Sequence, residues 1–152
     1  MNGMTFKKLA EIYYRNCEKL TYHGYSRKSA WRFPAYTYEF YPGNVYLLIE
    51  EGIKDVNAIE DEAYMCFNFT KVIVDKFNDF AKAIEMLKHK IIPEDAVIIV
   101  TKGAVEITDE LCTKMMQLPN ASLQVILCEN EEKINYLKER IPNVWEVYRL
   151  EA

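Results

Sequence analysis

Apolar positions along this chain follow two rhythms. From residue 96 onward, three compact runs stand out: Ala96-Val-Ile-Ile-Val-Thr101, Leu123-Gln-Val-Ile-Leu-Cys128 and Val144-Trp-Glu-Val-Tyr-Arg-Leu150. Two short amphipathic segments separate them. Nearly continuous apolar runs of this length suit strands covered on both faces, and the amphipathic segments suit crossover helices. The pattern predicts strand, helix, strand, helix, strand, feeding a parallel sheet. Thr108 is the predicted N-cap of a helix over 109–118 and Asn130 of one over 131–140, each with acids in its first turn. Pro119 and Pro142 end them.

Upstream the rhythm is mixed. Thr5 is placed to cap a helix reaching about Leu20, with Phe6, Leu9, Tyr13 and Cys17 on one stripe. No period holds from Tyr22 to Pro34. Tyr36–Tyr41 alternates, Pro42-Gly-Asn44 turns, and Val45–Ile49 is apolar, which together predict an antiparallel hairpin. Residues 55–61 read as a helical turn or a loop, and Ala63–Phe69 as a further strand. Lys71–Val74 fits either a strand or a helix start. A helix is predicted over about 75–90, with Phe77, Phe80, Ile84 and Leu87 on one face and Pro93 beyond its end.

These elements add up to an α/β fold, a three-layer sandwich. Its mixed sheet of five or six strands has a C-terminal βαβαβ parallel half and an antiparallel hairpin near residues 36–49. No linker or repeat divides the chain, so residues 1–152 are read as one domain. Composition agrees with a packed core, since 50% of residues are apolar and 28% charged. No apolar run is long enough to span a membrane. The four cysteines are scattered without a CxxC, and there are only two histidines. With no signal-peptide pattern at the start, a reducing, cytoplasmic setting is expected, and no metal-ligand set is assigned.

Charge divides the chain more sharply than hydropathy does. Residues 1–35 hold seven Lys/Arg against Glu11 and Glu18, a net +5, which leaves −9 for the remainder of a −4 chain. Within that basic front, Tyr25, Arg27, Lys28, Trp31 and Arg32 interleave rings with cations. Rings can stack on bases while cations meet phosphates, so the segment suits a single-stranded nucleic acid. The plainer alternative is that Trp31 packs on the core and the cations are solvated.

Candidate chemistry belongs at the carboxyl ends of the strands, where loops and helix starts converge in open α/β sheets. Those ends are Glu50-Glu-Gly52, Thr101-Lys-Gly103 and Glu129-Asn-Glu-Glu132. Lys102 beside a hydroxyl and a glycine suits an anion, but neither GxGxxG nor GxxxxGK[ST] is present. The stretch Leu48-Ile-Glu-Glu-Gly-Ile-Lys-Asp-Val-Asn-Ala-Ile59 resembles the strand–Glu-Gly–helix opening of Toprim domains, metal-dependent modules of primases and topoisomerases. That resemblance implies that Glu51 is an acid/base glutamate and that Glu129 stands near a paired acidic motif. The second motif departs from the family: it reads Cys-Glu-Asn-Glu-Glu rather than Asp-x-Asp.

Three functions follow from these features. The first is a small non-catalytic interaction protein that uses the aromatic–basic segment and the Tyr-rich hairpin to meet a protein partner or a second copy. The second is a ligand- or metal-binding enzyme domain at the strand-end rim, through Glu51, Lys102 and Glu129. The third is a nucleic-acid binder through the basic front. None of the three names a cofactor.

Overall fold

The computed structural model describes residues 3–25, 34–40, 43–101, 113, 123–128, 130, 132, 135, 136, 139 and 146–150. In chain order the elements are β1 (Gly3–Met4), α1 (Phe6–Cys17), β2 (Glu18–Tyr25), β3 (Pro34–Phe40), β4 (Asn44–Glu50), α2 (Val56–Cys66), β5 (Lys71–Phe77), α3 (Phe80–Lys88), β6 (Ala96–Thr101), β7 (Leu123–Cys128) and β8 (Glu146–Leu150). Thr113 and four residues between 132 and 139 are also helical. They fall within the two C-terminal helices expected from the sequence, most of whose residues lie outside those described.

Six strands form one sheet in the order β1-β8-β7-β6-β4-β5. Every pairing in it is parallel. The C-terminal strands sit where the apolar runs placed them. Val45–Ile49, Ala96–Val100 and Val125–Leu127 are buried throughout, as strands covered on both faces must be. Alternation along each strand feeds two clusters. Val45, Leu47, Ile49, Ile98 and Val125 pack with Phe6, Leu9 and Tyr13 of α1 and Ile59 and Ala63 of α2. Tyr46, Leu48, Val97, Ile99 and Ile126 pack with Phe80, Ala83, Ile84 and Leu87 of α3.

Two expectations need correcting. The antiparallel hairpin near 36–49 does not form. β3 pairs antiparallel with β2 instead, Thr21 opposite Thr37 and Tyr22 opposite Tyr36. β4 lies between β5 and β6, parallel to both. The sheet holding β4 is therefore all parallel, not mixed. The reason is burial: an apolar run such as Val45–Ile49 is stabilised more by a central slot than by pairing with the polar, Tyr-rich β3. The second correction concerns Ala63–Phe69, whose first half belongs to α2. Ile59 and Ala63, four apart, turn one stripe onto the sheet, and Phe67 closes the helix by donating its N–H to the Ala63 carbonyl. Lys71–Phe77 is then the strand, and α3 starts later than expected, at a cap formed by Asp79.

The strand order fixes where the chain reverses. From β4 it steps outward through α2 to β5, then returns through α3 to β6 on β4's other side. Right-handed crossovers in opposite directions put their helices on opposite faces, and α2 and α3 do lie in different clusters.

Candidate functional site

Where a parallel sheet reverses its winding, the loops leaving two neighbouring strands diverge and open a crevice at their carboxyl ends. Here that place lies between β4 and β6. Glu50 ends β4 and Thr101 ends β6. Both point to the α3 side, because the alternation through Tyr46 and Leu48 and through Val97 and Ile99 carries on to them. Glu50 is 4% exposed and Thr101 is fully buried. The Thr101 hydroxyl donates to Glu50 Oε2 at 2.8 Å. Cys128 ends β7 beside Thr101 in register, equally buried, with its thiol 3.5 Å from the Asn130 carbonyl.

A carboxylate held this far from water needs donors around it, and Thr101 supplies one. The bond joins the carboxyl ends of β4 and β6 and fixes the orientation of the Glu50 carboxylate. The loop after β4 is shaped by backbone geometry. Glu51 N–H donates to the Phe77 carbonyl at 2.8 Å, Gly52 takes φ 89°, and Asp55 enters α2 at φ 59°. A left-handed residue at each of these points lets the chain leave the sheet within a few residues.

Of the residues singled out from the sequence, Glu51 is exposed on that loop, and its N–H extends the β4–β5 ladder. Tyr25 ends β2 opposite Pro34. Lys102, Glu129, Arg27, Lys28, Trp31 and Arg32 lie outside the described residues. The acidic pairing that the Toprim resemblance implies rests on Glu129, which lies outside the described residues. Cys128, the residue before Glu129, ends β7, and β6 separates β7 from β4. The described residue that meets the Glu50 side chain at the end of β6 is Thr101. Among the described residues no three His, Cys, Asp or Glu side chains are grouped to hold a metal ion.

Glu50 escaped the sequence reading by one position. Two adjacent glutamates look equivalent in a string. Strand alternation separates them, since Tyr46, Leu48 and Glu50 share a face and Glu51 follows the strand's last residue. Cys66, the half-buried thiol of α2, is no better a nucleophile than an ordinary cysteine: burial, and then Glu62, hold its pKa above the usual thiol value. No protein family matches the chain, and no curated protein does.

Proposed function

We propose that this chain is a small-ligand-binding α/β domain whose site is the crevice between the carboxyl ends of β4 and β6. The observation that carries the reading is the buried Glu50 carboxylate, oriented by Thr101, at the point where the strand order reverses. Two-sided helical cover makes the domain a three-layer sandwich in this reading. The thiols of Cys17, Cys66 and Cys128, none in a disulfide, support a reducing cytoplasm. The ligand class is a polar small molecule presenting a hydrogen-bond donor to Glu50. A melting-temperature screen over nucleosides, nucleotides with and without magnesium, amino acids and sugars at millimolar concentration tests this. A ligand at a hundred times its Kd adds about 2.7 kcal/mol to the folded state. The expected result is a rise of several degrees with one class, abolished in Glu50→Gln. If no class moves the wild-type melting temperature, the crevice is not a binding site.

A second reading makes the chain a nucleic-acid binder working through its basic, aromatic front. It is supported by the β2–β3 ribbon, which joins neither edge of the six-stranded sheet. Arg27, Lys28, Trp31 and Arg32 fall on the segment joining its two strands. Oligonucleotide binding that weakens steeply with salt, and is lost in the Arg27→Ala, Arg32→Ala double variant, would favour it.

A further inference from the structure

β5 ends the strand order on one side, so no described strand covers its outer edge. Its sequence is Lys71-Val-Ile-Val-Asp-Lys-Phe77. Edge strands in stable monomers are usually short, bulged, covered, or guarded by a proline or by charged side chains, of which β5 has Lys71, Asp75 and Lys76. β5 is seven residues long, regular in register with β4 along its whole length, and apolar at its centre. Ile73 and Val74 are half-buried, although their partners Tyr46 and Leu47 on β4 are buried. Lys71 and Asp75 are exposed, and neither takes part in an ion pair among the described residues.

We infer that β5 pairs antiparallel with β5 of a second copy of this chain, about a twofold axis at Ile73. The axis must stand normal to the sheet, because only then does a second copy continue it edge to edge. Such an axis keeps each side chain on its own face, so opposed residues differ in number by an even amount. That leaves few registers. With the axis at Ile73, Lys71 meets Asp75 of the second copy, Val72 meets Val74, and Ile73 meets itself. Both ends of the pairing carry opposite charges and the middle is β-branched. Shifting the axis to Val74 sets Ile73 against Asp75, Val72 against Lys76 and Lys71 against Phe77. Shifting it to Val72 sets Lys71 against Ile73. Cross-strand pairs of opposite charge and of β-branched residues stabilise an antiparallel ladder, so the Ile73 register is favoured.

The backbone is ready for the same register. The Phe77 carbonyl accepts from Glu51, so it points inward to β4. Alternation turns the N–H and C=O groups of Val72, Val74 and Lys76 outward. Val72 and Val74 then form the hydrogen-bonded pair with the second copy. Ile73 sits in the closer, non-hydrogen-bonded pair, where side chains approach most nearly. On the α3 face the exposed Met86 lines a hollow with Leu48 and Asp75, next to where the second copy would lie.

Sedimentation velocity on the full chain across a concentration series tests the inference, and it is independent of the crevice reading. The wild type is expected to be a dimer at about 100 µM, with Asp75→Lys raising the dissociation constant about tenfold or more by setting like charges opposed at both ends. The Lys71→Asp, Asp75→Lys double variant restores opposite charges and should recover most of the loss. Both sites are exposed, and circular dichroism checks that the variants fold. Ile73→Cys should cross-link to itself under mild oxidation, whereas the wild type should not. A monomer at every concentration, or a dimer indifferent to the charge reversal, overturns the inference. A dimer whose residue-73 thiols never cross-link overturns the register.

Discussion

Tyr13 shows how much one side chain can organise. It is buried in α1, and its hydroxyl donates to the Glu94 carbonyl at 2.9 Å while accepting the Gly43 N–H at 2.8 Å. Asp95 completes the knot, taking Asn44 N–H on one oxygen and Ile92 N–H on the other. The Thr70 hydroxyl donates to the Gly43 carbonyl. Together these bonds tie α1 to the amino ends of β4 and β6, at the border opposite Glu50 and Thr101. A side chain on Gly43 would have no room, since a Cβ there falls 2.5 Å from the Glu94 backbone. Burial holds the Tyr13 pKa far above the usual tyrosine value, with the Cys17 thiol adding to it and the Gly43 N–H opposing. Burial also raises Tyr14. A group whose folded pKa is raised contributes stability that is complete below its unfolded pKa and is lost as pH rises beyond it. Melting temperature should therefore hold steady to about pH 9 and fall above pH 10, where an unfolded tyrosine ionises. Tyr13→Phe should cost about 1 kcal/mol at neutral pH and flatten the alkaline decline, both readable by circular dichroism. The cost is modest because Gly43 N–H also reaches the Glu94 carbonyl at 3.0 Å.

At the scale of elements, caps and stripes decide boundaries. Thr5 Oγ1 accepts the Lys8 N–H at 3.2 Å, the cap expected from the sequence. Asp79 does the same for α3, accepting the Lys82 N–H at 3.3 Å. Asp79→Ala should lower stability by about 1 kcal/mol in urea unfolding with an unchanged slope. A loss below about 0.3 kcal/mol would show that packing of Phe80 and Leu87 sets this helix start without the cap. β6 and β7 were legible to the residue, because a short, mostly apolar run between turn signals admits few other readings. α1 was legible at its start but not at its end: a helical stripe continues in the string past Cys17, where the chain in fact turns into β2. α2 was misread because Ala63-Tyr-Met-Cys-Phe-Asn-Phe69 is rich in strand-favouring aromatics. Only contact with the sheet reveals that Ile59 and Ala63 form its buried stripe and that Tyr64 and Met65 face outward.

For the whole molecule, the strand order sets a gradient of protection. β4 and β6 have strands on both sides and helices against both faces, while β5 has one neighbour among the described strands. Hydrogen exchange of dilute protein should leave the amides of Val45–Ile49 and Ala96–Val100 among the slowest and the outward amides of Val72 and Val74 among the fastest in the sheet. At high concentration those two amides should slow, because dimerisation covers them.

The string of residues was enough to specify an α/β chain and its parallel C-terminal strands, since burial on both faces and helical spacing are local properties of composition and period. It could not specify that β4 runs parallel between β5 and β6, that β2 takes β3 as its partner, or that Glu50 rather than Glu51 is buried at the strand's end. Those are choices among pairings of similar local propensity. They are settled by which arrangement buries the most apolar surface while satisfying every backbone group, a sum that exists only when the whole chain is assembled.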